Sequence, residues 1–212
     1  MKDLEMAYKE GKDIKSLHKG SLINLLYILN PKDLVSLSKS PLILSIAFTI
    51  CYCIISFTQN LNSYTILSEI TETTVSLLPN LLGFTLAGLT IIVAFGNQEY
   101  LESLSNLEIS GEKLFKPSLF QRIIAVFTWS VLVQSFCLSF GYIIKLALSL
   151  KLTSKQIVLN APVSTLVNYL TIFLLLLLFL YSLFLIPKTI LNVFMFGQGH
   201  HLSVIIKKRL NK

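Results

Sequence analysis

Residues Val163 to Ile186 read VSTLVNYLTIFLLLLLFLYSLFLI and carry no charged side chain. The hydrocarbon core of a bilayer takes about 20 apolar residues of helix. An amphipathic helix on a soluble core shows one continuous polar stripe, because one side meets water. No such stripe is present here, so the run predicts a membrane span. Working outward, three more runs meet the same test: Pro41 to Thr58, Val75 to Phe95 and Ile123 to Ile144. The 212-residue chain is 53 % hydrophobic and 14 % charged, against roughly 25 % charged in soluble domains. These numbers exclude a disordered chain and a water-soluble domain. They predict an all-α polytopic membrane protein of four transmembrane helices, with short amphipathic helices on the cytoplasmic side.

Charge sets the orientation. All 11 acids lie at or before Glu112, and 11 of the 18 basic residues follow it. A basic C-terminal half can signal nucleic acid, but this one is mostly apolar, so anchoring to anionic lipid heads is the simpler reading. With both termini in the cytoplasm, 15 Lys and Arg lie inside and three outside. The positive-inside rule therefore predicts N-in and C-in topology. Residues 1–40 form a cytoplasmic and interfacial segment, 41–186 the transmembrane domain, with its fourth span at 163–186, and 187–212 a basic cytoplasmic extension.

The cytoplasmic parts hold local signals. Ser21 to Leu29 is too short to span and reads as an interfacial helix. Asn30 and Pro31 start another short helix, and Ser40 with Pro41 suits the start of the first span. Asn97 to Ile109 extends the second span or forms its own helix, ended by Ser110 and Gly111. The fourth apolar stretch runs on past its span to Phe196, and Pro187 supplies a kink at the inner boundary. Gly197 to Gly199 reads as a second break. The first long apolar run begins at Pro41, which is late for a secretory leader.

Few residues here point to catalysis. Cys51, Cys53 and Cys137 all lie in apolar runs and read as small packed hydrophobes rather than a disulfide framework. His18, His200 and His201 sit away from any span-buried Ser or Cys, so no nucleophile gains a base. No phosphate-binding loop or metal-ligand spacing occurs. The expectation is a non-enzyme with no cofactor and no metal. The four runs contain no Asp, Glu, Lys or Arg, which argues against a proton-coupled carrier.

The second span is the most informative. Gly83, Ala87, Thr90 and Ala94 recur on one face, and small faces let helices approach closely in lipid. They are the candidates for an oligomer interface. A different reading is a pore that depolarises the cell, lined by Asn80, Thr85 and Gln134, with Thr90, Ser135 and Asn168 as further polar positions. Glu69 and Glu72 would ring its outer mouth and favour cations. Glu99, Glu102 and Glu108 in the second cytoplasmic segment are candidates for docking a soluble partner.

The stretch Leu77 to Leu104 (LLPNLLGFTLAGLTIIVAFGNQEYLESL) resembles a segment of small four-span bacterial proteins from anti-phage defence operons. The whole plan, about two hundred residues with four spans and cytoplasmic ends, is similar to the membrane subunit of the Kiwa defence system. The resemblance implies a membrane-resident homo-oligomer working with a soluble cytoplasmic protein that acts on phage DNA. The expected role is a sensor or scaffold in antiviral defence, with the lipid bilayer, further copies of itself and that soluble protein as partners. Direct binding of nucleic acid is not expected.

Overall fold

The computed structural model describes residues 21–59, 62–96, 98–106, 117–150 and 161–210. Every element among them is a helix: α1 (Leu22–Leu29), α2 (Pro31–Gln59), α3 (Ser63–Phe95), α4 (Gln98–Asn106), α5 (Leu119–Ser149) and α6 (Ala161–Leu210). Four of these, α2, α3, α5 and α6, are long and apolar enough to cross a membrane. Their outer faces are apolar: Phe57 is 90 % exposed, and Ile43, Phe136, Ile143 and Leu166 also point outward. Lipid is the solvent that such a surface fits.

The centre of the bundle is α3, α5 and α6, each packed on the other two, while α2 packs on α6. One cluster of Leu67, Leu78, Cys137, Ile172 and Leu175 fills one part of the core, and Ile92, Ile123, Phe127 and Phe196 fill another. Polar side chains act as pins between helices. The Asn168 amide donates to Ser63 Oγ at 3.1 Å, and Tyr64 donates its hydroxyl hydrogen to the Leu148 carbonyl at 2.9 Å. Further along, Trp129 Nε1 donates to the Tyr181 hydroxyl at 3.0 Å. In hydrocarbon such bonds contribute about 0.6–2 kcal/mol each.

The helices outrun the sequence-based spans. The first starts at Pro31, so Pro41 lies inside it rather than at its first turn. Asn30, at φ 59°, joins α1 to α2, and its Oδ1 accepts from the Lys32 amide at 3.4 Å. The stretch between the first two sequence-based spans, 59–74, is mostly helix, because α3 begins at Ser63 with Asn62 as its N-cap. The third span starts at Leu119, not Ile123. There Ser118 and Gln121 form a reciprocal capping box, a pattern plainly written in the sequence. Pro79 and Pro187 also stand within helices. Each proline removes one N–H, but leaving the helix in lipid would strand many backbone groups, so the helix persists.

The largest correction concerns α6. It is one helix of 50 residues and runs through Gly197 to Gly199 without a break, roughly 75 Å at 1.5 Å per residue. Ser63 lies beside Asn168, and a Cβ on Gly88 would sit 3.4 Å from Val193. Both pairs differ by 105 in number (168 − 63 and 193 − 88), so α3 and α6 run parallel in one register. Pro187 is thus level with Leu82 and Lys188 with Gly83. Phe95 ends α3 twelve residues further on (95 − 83), or about 18 Å. Pro187 therefore lies alongside the middle of α3, and half-buried Lys188 brings a charge to that level. A span ending at Ile186 leaves this lysine outside; only the register with α3 shows which residues it lies beside.

Candidate functional site

Helix α3 presents two faces. Gly88 belongs to the inner one, where a Cβ would sit 3.0 Å from the Phe127 ring. Thr85 is fully buried on the same side, and its hydroxyl donates to the Leu81 carbonyl at 3.0 Å. Gly83, Ala87, Thr90 and Ala94 all lie on exposed surface, and nothing stands within 4 Å of a Cβ built on Gly83. The four candidate interface residues are therefore brought together on one outward face. Among the described residues no helix of this chain covers that face.

The three pore candidates do not share a face. Asn80 is exposed, while Thr85 and Gln134 are buried. Gln134 is fully buried on α5, and among the described residues neither end of its amide has a hydrogen-bond partner. Gly141 packs against Val75 and Gly88 against Phe127, an antiparallel register that sets Gln134 level with Leu81 and Leu82. It thus shares the depth of Pro187, and nothing in the sequence marked this coincidence. Asn168 is committed to Ser63, with its Oδ1 unpartnered. Glu69 and Glu72 ride on α3 itself rather than on a loop.

At the predicted cytoplasmic end, Gly96 closes α3 and α4 follows as a separate short helix. Tyr100 and Leu104 face inward, and Glu102 faces outward. The Tyr100 hydroxyl donates to the Phe196 carbonyl at 3.2 Å. Its ring meets Phe196 and His200 edge-on, with centroids 5.2 and 5.4 Å apart. Burial raises the Tyr100 hydroxyl above the ordinary phenol range, so it stays protonated and able to donate. Gly199 makes the approach feasible, since a Cβ there would collide with the Tyr100 hydroxyl. The glycine read as a helix break is thus a docking notch. Glycine inside a helix costs only about 1 kcal/mol relative to Ala, less than the packing it permits.

Of the docking candidates, Glu102 stands on the outward side of α4 and the backbone of Glu99 lies in its first turn. Glu108 lies outside the described residues. Helix α1 packs on α5 and α2, burying Leu29 and leaving Leu22, Ile23 and Leu26 exposed. That apolar face fits a helix lying on a bilayer. Among the described residues no group of three or more His, Cys, Asp or Glu is placed to hold a metal ion. No family model matches this chain, and no curated protein or solved structure matches it either.

Proposed function

We propose that this chain is a non-enzymatic, homo-oligomeric subunit of a bacterial inner membrane. It acts as a sensor or scaffold that holds a soluble cytoplasmic protein against the bilayer in anti-phage defence. The observation that carries this reading is the seating of α4 on α6 through Tyr100, Phe196 and Gly199. A short polar helix fixed to a long rod is a rigid place for a partner to dock, and it couples that partner to the depth and tilt of α6. The outward Glu102 adds a negative charge that steers a basic surface. The outward small-residue face of α3 supports self-association, and the resemblance of Leu77 to Leu104 supports the defence setting.

The test is a triple charge reversal, Glu99→Lys, Glu102→Lys and Glu108→Lys, in the native host. Loss of the co-purifying soluble protein with an unchanged detergent-solubilised mass is the expected outcome. If co-purification survives, docking passes to the first forty residues.

One observation favours a second reading, a pore. Gln134 is an unpartnered amide at bundle depth, level with Pro187, and polar groups there are costly unless used. Purified protein in planar bilayers separates the readings: an ohmic current abolished by Gln134→Leu supports the pore, and a silent membrane removes it.

A further inference from the structure

A cleft of 240 Å³ opens between α2 and α3, with α6 beneath it. Tyr52 comes from α2, Ile66, Glu69 and Thr73 from α3, and Leu176 and Phe179 from α6. It exists because α2 packs on α6 while α3 packs on α5 and α6, which leaves a gap between the first two. We propose that this cleft binds the headgroup of an amine-bearing zwitterionic phospholipid, phosphatidylethanolamine, with the lipid ammonium on the Glu69 carboxylate.

Depth comes first. Glu69 lies six residues into α3 (69 − 63), about 9 Å from the helix end predicted to face outward, the level at which a 33-residue helix overhanging a core of about 30 Å would meet the headgroups. The volume comes second. Whole small-molecule pockets run about 300–1,000 Å³, so this cleft takes a headgroup and the start of its tails, and the rest stays in the bilayer. Ile66, Leu176 and Phe179 offer the apolar wall that those first methylenes need.

Charge decides between lipids. The Thr73 hydroxyl is spent on the Glu69 backbone carbonyl at 2.9 Å. Among the described residues the Glu69 carboxylate is then the one charge lining the cleft, and it forms no ion pair with any of them. Tyr64 bonding to Leu148, and Gly141 against Val75, put Lys145 at the depth of Glu69. Lys145 is on α5 and does not line the cleft. A lone carboxylate repels anionic lipid heads. A primary ammonium gives it charge-assisted hydrogen bonds, which a choline headgroup, with no N–H, does not. The rings of Tyr52 and Phe179 add a surface favourable to a cation. This inference is independent of the proposed scaffold role.

Native mass spectrometry of the full chain, released from nanodiscs of equal phosphatidylethanolamine, phosphatidylglycerol and phosphatidylcholine, tests it. Retained phosphatidylethanolamine should exceed either other lipid by roughly tenfold, the effect of about one strong contact. Glu69→Gln should abolish the preference, and Glu72→Gln, on the neighbouring exposed position, should keep it. Thr73→Trp, which fills the cleft from an exposed position, should reduce retention without touching the core. Equal retention of all three lipids by the wild-type chain overturns the proposal. So does a preference that survives both Glu69→Gln and Thr73→Trp.

Discussion

Two sites show how single residues carry this molecule. Gly199 and Tyr100 form a notch and a peg. Gly199→Ala should lift α4 from α6, at a cost of about 1–3 kcal/mol, the usual penalty for overpacking. Hydrogen exchange across residues 98–106 should then quicken. Adding Tyr100→Phe removes the colliding hydroxyl and should restore much of the protection, although its bond to Phe196 is lost. No restoration would mean that the hydroxyl is not what the notch accommodates. Gln134 is the opposite case, a buried amide with no hydrogen-bond partner among the described residues. Replacing such a group with an apolar one of similar size removes a desolvation penalty of about 1–3 kcal/mol. Gln134→Leu should therefore leave resistance to denaturing detergent unchanged or raise it. A clear fall would show that the amide has a partner, such as a bound water or a second chain.

At the scale of elements, α3 separates two kinds of glycine. Gly88 faces Phe127 and Val193, whereas Gly83 faces open space. Gly88→Leu should damage the bundle itself, lowering its thermal midpoint in detergent. Gly83→Leu should leave that midpoint near wild type but reduce the mass of the assembly by light scattering. If Gly83→Leu alters neither quantity, this face meets only lipid. Helix α6 shows how one element spans two regions. Its outer part is pinned by Asn168 and Tyr181, and its far part by Tyr100. One helix, with Pro187 inside it, thus joins the two sets of contacts.

For the whole molecule, the firmest expectation is topology. Ser149 lies exposed at the predicted outer end of α5 and Ser105 lies exposed on α4. Ser149→Cys should react with an impermeant maleimide in intact cells, and Ser105→Cys only after lysis, each in a background lacking the three native cysteines. Labelling of both from outside would reverse or break the four-span plan. Ser63 is unsuitable as a reporter, because its side chain is buried against Asn168. Most of the fold was legible from the sequence, because hydrocarbon admits so few backbone solutions.

What the sequence by itself determined is the helical class, the number of spans, the charge asymmetry and the small face of α3. All of these follow from composition and 3.6-residue spacing, which are properties of one segment at a time. Helix ends were less legible. Apolar runs mark where lipid begins, while helices at Pro31 and Ser63 start wherever a cap satisfies the backbone. Only the tertiary structure decided that Lys188 and Gln134 lie at bundle depth, that Gly199 is a notch for Tyr100, and that Glu69 lines a cleft with Tyr52. Each of these depends on the register between helices far apart in the chain. That register is set by which side chains interlock, and no periodicity within a single helix contains it.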